Sequence, residues 1–298
     1  MSMKRKTSHL KGTGVAVVTP FQKSGEIDFD SYAKIIDHII QGGVEFIVVL
    51  GTTGEAATLT QPEKKKLIEF TIEKNHGRVP LVVGLGGNNT ADVVQAFSQY
   101  QLTGVAAILS VSPYYNKPNQ EGIYQHFKTI AGVSPVPVII YNVPGRTGSA
   151  IHASTCIRLA NECSNIIGIK EASGNFEQIY HILKYRPEGF LVLSGDDGLT
   201  LPLLAVGADG VISVVANAYP KEFSDMVRFG LSGSFDKAVP LHYRLTELIN
   251  ALFLDGSPAG IKAALEIKNL CFNYLRLPLV SVREEIYNKI KSLVKLIG

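Results

Sequence analysis

The feature of this sequence that most constrains its fold is an alternation of short apolar runs and amphipathic helical stretches, repeated eight times. The apolar runs lack polar alternation, which is typical of parallel strands covered by helices on both faces. Eight consecutive strand–helix units predict an α/β fold, a (β/α)8 TIM barrel, which needs roughly 250 residues. The predicted strands are 14–19, 46–50, 79–85, 105–111, 136–141, 166–170, 190–194 and 211–215.

An open, doubly wound sheet is the alternative arrangement for such units. It is disfavoured because no Gly-x-Gly-x-x-Gly turn follows the first strand, and the nearest match, at 84–87, follows the third with the wrong spacing. From Ser234 onward the strands stop, and helical patterns cover 235–254, 259–272 and 282–296, the last opening with a capping box from Ser281 to Glu284. We therefore expect a catalytic barrel at 1–233 and a C-terminal helical extension at 234–298, which packs on the barrel or on a neighbouring subunit.

Composition and charge exclude several classes of protein. The chain is 46% hydrophobic and 18% charged, as soluble globular proteins are. The net charge is only +3, and basic clusters are confined to Lys4–Lys6 and Lys64–Lys66, so we expect no nucleic-acid partner. The chain start lacks the apolar segment of a signal peptide, and no apolar run is long enough for a membrane span.

The cysteines and histidines give no sign of a metal site. Cys156, Cys163 and Cys271 are odd in number and lack metal-type spacing, which favours free thiols in a reducing cytoplasm. The seven histidines are scattered, without a His-Glu-x-x-His pair. We expect a cytoplasmic protein without a metal cofactor.

The strongest candidate for chemistry is Lys170, which ends the apolar strand 166–170. Burial of an ammonium lowers the pKa of a lysine, and a neutral amine is a nucleophile towards carbonyls. Lys170 is therefore a candidate Schiff-base lysine. The alternatives are a lysine that extends from the strand end to solvent, or a structural ion pair with Glu171 or an aspartate.

Other polar residues follow the carboxyl ends of the strands, where barrels of this class place their active sites. Each also has a structural interpretation, as a turn, an interface aromatic or a solvated charge. Two adjacent aspartates are more often turn or cap residues than a metal site. The candidates are Thr52, Thr53, Tyr114, Tyr115, Tyr141, Arg146, Lys170 and the segment 194–197.

Together these residue types suit aldol chemistry. The amine attacks a ketone to form an imine, and the protonated imine is an electron sink for deprotonation at the adjacent carbon. A tyrosine transfers the protons. The N–H groups of the Thr-Thr-Gly turn bind a carboxylate, and an arginine holds a second one.

These residues closely resemble the dihydrodipicolinate synthase family, within the pyruvate-dependent class I aldolases, from about Lys11 to the C-terminus. The motifs that carry the resemblance are Gly-Thr-Thr-Gly-Glu at 51–55, Tyr-Tyr-Asn-Lys-Pro at 114–118, Tyr-Asn-Val-Pro-Gly-Arg-Thr-Gly at 141–148, Gly-Ile-Lys-Glu-Ala-Ser-Gly at 168–174 and Ser-Gly-Asp-Asp at 194–197. The resemblance implies condensation of pyruvate with L-aspartate 4-semialdehyde, towards diaminopimelate and lysine, by a cytoplasmic homotetramer built as a dimer of dimers.

The resemblance also implies roles for individual residues. Lys170 forms the imine with pyruvate and no other cofactor is needed, while Tyr141, Thr52 and Tyr115 form a proton relay, with Tyr115 contributed across a subunit interface. Thr53 binds the pyruvate carboxylate with help from the backbone near Gly195 and Ile212, and Arg146 holds the carboxylate of the semialdehyde.

Rival functions share parts of this pattern. N-acetylneuraminate lyase and the keto-deoxy sugar acid aldolases share the lysine and the tyrosine, but Arg146 favours the short, carboxylate-bearing semialdehyde. A catalytically idle barrel that senses a keto acid is a further alternative. A sugar-phosphate isomerase needs a phosphate loop and a glutamate base, neither of which is clear in this sequence.

One departure from the family pattern concerns feedback control. Lysine-inhibited relatives tend to carry histidines just after Gly-Thr-Thr-Gly-Glu, where this chain has Gln61 and Lys64. Asn88, Asp92 and Tyr114 match the remaining regulatory pattern. A cationic Lys64 repels cationic lysine, so we expect weak or absent inhibition.

Overall fold

The structure is a computed structural model that describes residues 7–298. The basic cluster Lys4–Lys6 and the first six residues of the predicted barrel domain lie outside the described residues. Eight parallel strands close into a barrel in chain order, and the last strand pairs with the first. This confirms the predicted (β/α)8 barrel, and the open-sheet alternative is wrong. The strands are β1 Gly12–Ala16, β2 Phe46–Val49, β3 Leu81–Gly84, β4 Ala107–Val111, β5 Val138–Asn142, β6 Ile166–Glu171, β7 Leu191–Ser194 and β8 Gly210–Ser213.

Side chains alternate between the barrel interior and the layer beneath the helices. In β2, Phe46 and Val48 belong to the interior cluster, whereas Ile47 and Val49 pack towards the helices. Gly14 makes room for the largest of these groups, because a Cβ there would lie 2.1 Å from the Phe46 ring. The barrel is therefore a filled core, and ligands have access only at its ends.

The helices form around this barrel through local signals. Asp28 caps the first helix by accepting a hydrogen bond from the Ser31 N–H. Thr60 and Glu63 form a capping box at the start of the second helix. The helices of the barrel are α1 Phe29–Gln41, α2 Gln61–Asn75, α3 Thr90–Ala96, α4 Gln120–Val133, α5 Pro144–Thr147, α6 Ala153–Glu162, α7 Phe176–Tyr185, α8 Thr200–Ala205 and α9 Pro220–Leu231.

The C-terminal region forms three further helices, α10 Phe235–Ala251, α11 Ala259–Ile267 and α12 Glu284–Ile297. Leu245, Leu265 and Ile290 on these helices belong to the same buried apolar cluster as the outward-facing residues of the strands. The extension therefore packs on the barrel, as one of the two predicted placements requires. Its division from the barrel between 233 and 234 stays a prediction.

Two local predictions are wrong. The segment 17–19 was expected to continue β1, but the Val18 N–H donates to Asn217 Oδ1 and the Thr19 hydroxyl donates to the Gly54 carbonyl. The predicted capping box at Ser281 does not form, because the helix begins only at Glu284 with Arg283 as its N-cap, and the Ser281 hydroxyl instead donates to the Asn273 carbonyl. In both cases a distant partner takes the polar group that the local pattern assigns.

Short 3₁₀ turns complete the fold, at Ser8–Leu10, Thr52–Gly54, Ala56–Thr58 and Val215–Asn217. None of the helices formed by residues 7–298 has the length and apolar character needed to cross a lipid bilayer.

Candidate active site

The site is centred on Lys170 and Tyr141, which are paired in register on adjacent parallel strands, β6 and β5. Both side chains are buried, each 6% exposed. The Lys170 Nζ lies 4.4 Å from the centre of the Tyr141 ring. The sequence-predicted nucleophile and proton-transfer group are therefore neighbours at the carboxyl end of the barrel.

The expected alternative, an ion pair between Lys170 and Glu171, is wrong. The Glu171 carboxylate is buried on the helix side of β6, where it accepts hydrogen bonds from Asn142 Nδ2 at 3.0 and 3.1 Å. It also accepts from the Ser173 N–H and from Gln178 Nε2. Among residues 7–298, no aspartate or glutamate forms an ion pair with Lys170, so its amine is not committed to a structural partner.

Asn142 and Glu171 fix the geometry of the reactive pair. They follow Tyr141 and Lys170 directly and are themselves paired in register. Asn142 Oδ1 also accepts the Ile151 N–H at 2.9 Å, which ties the end of β5 to the segment before α6. This buried bridge prevents β5 and β6 from sliding, and so keeps the phenol beside the amine.

The backbone at Gly195 passes directly beside Lys170. A Cβ at this position would lie 3.1 Å from Lys170 Cε and 2.7 Å from Ala172 Cβ. The Gly195 N–H donates to the Glu171 carbonyl at 2.8 Å, so it is not free to bind a substrate. The Gly195 carbonyl is an acceptor and cannot bind a carboxylate, so any help from this segment must come from an N–H group other than that of Gly195. Ile212, the other predicted backbone contact, lies buried in β8.

The two predicted threonines lie in the tight turn that follows β2. Thr52 is exposed and Thr53 is buried. The turn uses the Gly54 N–H itself, which donates to the Gly51 carbonyl at 3.1 Å. The expected Thr-Thr-Gly set of N–H donors is therefore reduced, and a carboxylate must rely on the two threonines.

A cavity of about 590 Å³ opens at this end of the barrel. It brings together groups predicted for catalysis with groups predicted for regulation. Lys170, Thr53, Gly195, Ile212 and Tyr115 are not among its lining residues. The predicted site residues that line it are Thr52, Tyr141 and Arg146, together with Lys64, Asn88, Asp92 and Tyr114.

Arg146 and Tyr115 are two exposed members of the predicted site. Arg146 lies in α5, and within the described part of the chain its Nη2 reaches only the Ser257 carbonyl at 3.5 Å, which leaves the guanidinium available to an anion. Tyr115 is 89% exposed and has a left-handed backbone, with φ of 72°. Its side chain does not line the cavity that Thr52 and Tyr141 share.

The adjacent aspartates after β7 have structural roles. Asp196 Oδ1 accepts the N–H groups of Gly198 and Leu199 within the turn. Asp197 is buried, and its Oδ2 accepts the N–H groups of Val214 and Val215 at the end of β8. Burial raises the pKa of the Asp197 carboxyl to about 6. Among residues 7–298, no group of three or more His, Cys, Asp or Glu is placed to hold a metal ion.

Sequence reasoning missed a set of residues that contact the threonine turn. Glu55 follows the turn, and its buried carboxylate forms an ion pair with Lys262 of α11. Arg276 reaches the same region from the chain after α11. The sequence did contain a sign of this buried ion pair, because Lys262 is the one charged residue within the otherwise apolar stretch 259–265.

A closed parallel barrel that buries a lysine beside a tyrosine at the carboxyl ends of its strands defines the class of (β/α)8 aldolase-type lyases. Within that class, the chain belongs to the dihydrodipicolinate synthetase family, whose sequence model matches residues 9–297. The chain is accordingly an enzyme.

Named relatives and solved structures support this assignment over nearly the full length. The chain is 51% identical to the 4-hydroxy-tetrahydrodipicolinate synthase of Flavobacterium psychrophilum, covering 95% of this chain and 97% of the relative. It is 49% identical to that of Parabacteroides distasonis, covering 96% and 97%. The crystal structure of dihydrodipicolinate synthase from Aquifex aeolicus superposes with a TM-score of 0.93 at 42% identity, covering 96% of this chain and 97% of that one.

Proposed function

We propose that the enzyme condenses pyruvate with L-aspartate 4-semialdehyde through an imine on Lys170, the 4-hydroxy-tetrahydrodipicolinate synthase reaction. The observation that carries this proposal is the buried Lys170, which is in register with Tyr141 and has no ion-pair partner among residues 7–298. A buried amine free of a counter-ion is suited to attack a ketone.

The reaction proceeds in four chemical steps. The Lys170 amine attacks C2 of pyruvate, and one water leaves as the protonated imine forms. A proton then leaves C3, and its electron pair moves into the imine to give an enamine. The enamine carbon attacks the aldehyde of the second substrate, whose oxygen takes a proton. Finally the amino group of that substrate displaces Lys170 from C2 and closes the ring, so the overall reaction releases one water.

The predicted site residues have complementary tasks in these steps. Tyr141 lies against the Lys170 amine and is the first member of a proton relay with Thr52 and Tyr115. Thr53 binds the pyruvate carboxylate, with help from backbone N–H groups near Gly195 and Ile212.

Arg146 is the residue from which we infer the second substrate. Its exposed guanidinium at the rim of the cavity suits bidentate binding of a carboxylate. This contact distinguishes the short semialdehyde from the sugar aldehydes used by the neuraminate and keto-deoxy sugar acid aldolases. The imine supplies the electron sink, so the proposal includes no metal or additional cofactor.

Trapping with borohydride tests the imine. Pyruvate and borohydride should label Lys170, as located by peptide mass mapping, and Lys170→Met should abolish both labelling and turnover. Lys184→Met, at an exposed lysine of α7, is the matched control and should behave like the wild type. A folded wild-type enzyme with unlabelled Lys170 would contradict the proposal and favour a keto-acid sensor.

A comparison of acceptors tests the second substrate. L-aspartate 4-semialdehyde should be turned over far more efficiently than sugar aldehydes, and Arg146→Gln should raise the KM for the semialdehyde with little effect on imine trapping. Equal use of sugar aldehydes would instead favour one of the rival aldolases.

We also propose that the enzyme is a cytoplasmic homotetramer. The location is supported by three free, buried thiols, which suit a reducing compartment. Cell fractionation tests the location, and sedimentation of the purified enzyme tests the assembly.

A further inference from the structure

The threonine turn is anchored by a fully buried ion pair. The Glu55 carboxylate and the Lys262 ammonium are both 0% exposed and form a direct hydrogen-bonded contact, although they are 207 residues apart. Burying two charges costs solvation, and apolar residues of equal volume often stabilise a fold as well. We therefore consider a role of the pair other than stabilising the fold. Its hydrogen-bond contacts indicate that role.

Glu55 is part of the turn that it anchors. Its left-handed backbone, with φ of 52°, ends the Thr52–Gly54 turn and begins the Ala56–Thr58 turn. Its N–H donates to the Thr52 carbonyl at 3.1 Å, and its carbonyl accepts the Thr58 N–H at 2.9 Å. A left-handed conformation is unfavourable for glutamate, so the side-chain contacts hold it in place. Any shift of Glu55 moves Thr52.

Among the described residues, the partners of the Glu55 carboxylate come from the C-terminal region. Lys262 Nζ bonds one carboxylate oxygen and also donates to the Tyr274 carbonyl at 2.8 Å. The Arg276 N–H donates to the other oxygen at 3.2 Å. Burial lowers the pKa of the Lys262 ammonium, and the Glu55 carboxylate opposes that shift. Each charge thus keeps the other in place.

Arg276 extends the contact to the segment that follows the turn. Its guanidinium donates to the Thr58 carbonyl at 3.1 Å and to the Glu63 carboxylate in α2. This arginine holds the pKa of Glu63 well below its usual range, at about 2. The segment that follows the threonine turn is consequently fastened at Glu55, Thr58 and Glu63 by residues of one C-terminal stretch.

We propose that Glu55, Lys262 and Arg276 are positioning residues that hold the Thr52–Thr53 turn in the geometry needed for pyruvate. This inference rests on the proposed function, since it assigns the turn to pyruvate binding and proton transfer. Arg146 lies on a different loop, after β5. Loss of the buried pair should therefore impair the pyruvate half of the reaction and spare the semialdehyde half.

Steady-state kinetics of Lys262→Met test the proposal, because methionine keeps an unbranched side chain but removes the charge. We expect the KM for pyruvate to rise at least about tenfold and kcat to fall by a similar factor, since displacement of a positioning group by about 1 Å costs up to about 100-fold. The KM for the semialdehyde should stay within about twofold of wild type. The rate at which pyruvate and borohydride label Lys170 should fall in parallel.

Two further variants keep the test decisive. Glu55→Gln retains shape and an acceptor oxygen, so it should fold even if Lys262→Met does not, and it should show the same pyruvate-selective defect. Arg186→Met is the matched control, since Arg186 forms an ion pair with Asp209 next to the amino end of β8, on the opposite side of the barrel. It should lower the melting temperature without changing either KM.

The outcomes separate the two proposals. Wild-type pyruvate kinetics in folded Glu55→Gln, or an equal loss for both substrates that Arg186→Met reproduces, would overturn the positioning role. Absence of pyruvate labelling in the wild type would instead refute the proposed function. A pyruvate-selective defect in the pair variants alone supports the inference.

Discussion

Lys170 and Lys262 are both buried lysines, yet their surroundings suit them to different tasks. The Lys262 amine is occupied by Glu55 and the Tyr274 carbonyl. The Lys170 amine lies against an aromatic ring and, among the described residues, has no carboxylate partner. At the scale of single residues, burial alone does not identify a reactive lysine. The absence of a committed partner is the more useful criterion.

Removal of one hydroxyl tests the role of Tyr141. Tyr141→Phe keeps the ring that packs against Lys170 but deletes the proton-transfer group, so kcat should fall by about 100-fold or more. Tyr32→Phe is the control, because the Tyr32 hydroxyl is also buried, bonded to Thr71 at 3.0 Å, but lies away from the site. Tyr32→Phe should lower the free energy of unfolding but leave kcat unchanged. Equal kcat values for Tyr141→Phe and wild type would remove Tyr141 from the relay.

Asp197 predicts a specific dependence of stability on pH. Burial raises the pKa of this carboxyl from 3.8 to about 6 in the folded state. The folded state therefore binds the proton more tightly, and the associated stability is present below about pH 4 and is lost as the pH rises through about 6. Relative to Asp197→Asn, the wild-type free energy of unfolding should fall by up to about 3 kcal/mol across this range. Denaturant titrations at several pH values measure it, and a constant difference would contradict it.

At the scale of elements, sequence patterns predicted the units better than their ends. Sequence patterns also predict helices at 153–162 and 176–185, and α6 and α7 have these bounds, because an apolar stripe and a defined break lie within each local segment. The predictions for segment 17–19 and for the cap at Ser281 were wrong, because the Thr19 and Ser281 hydroxyls donate hydrogen bonds to backbone carbonyls outside their own elements. The same reason explains the site: Lys170 and Tyr141 stand at strand ends, whereas the Glu55–Lys262 pair depends on tertiary packing.

The packing of α2 near α3 bears on feedback control. Lys64 on α2 and Asp92 on α3 line the same cavity, and burial lowers the pKa of the Lys64 ammonium. Its positive charge repels a cationic amino acid, so inhibition by lysine should be weak or absent in the wild type. Lys64→Gln removes the charge and should strengthen inhibition, as measured by activity titrations. Strong wild-type inhibition at sub-millimolar lysine would refute this prediction.

The whole molecule exposes aromatic surface next to its active site. Tyr115 is 89% exposed and Tyr114 is 41% exposed, at the end of β4. Adjacent exposed aromatic rings are typical of an interface between subunits. This supports the proposal that Tyr115 completes the relay of a neighbouring subunit, which its own chain does not achieve.

Subunit mixing tests this sharing of sites. Tyr115→Phe and Lys170→Ala chains should each be nearly inactive, but their co-refolded mixture should recover up to about a quarter of wild-type activity, as statistical pairing of two shared sites allows. Mixing Tyr141→Phe with Lys170→Ala is the control and should recover nothing, since both residues belong to one chain's site. No recovery in the first mixture, with assembly intact, would argue against a shared relay.

The ion pair between Glu55 and Lys262 also has a consequence for biosynthesis. During translation, Glu55 of the threonine turn is synthesised 207 residues before Lys262, its partner. Strand β8 ends at Ser213, so a nascent chain can close its barrel while Lys262 and Arg276 are still untranslated. If the positioning role proposed above holds, such a chain has a closed barrel, but its threonine turn is not yet held in the geometry for binding pyruvate. Products terminated before Arg276 would then have little activity, so activity would report translation past that residue.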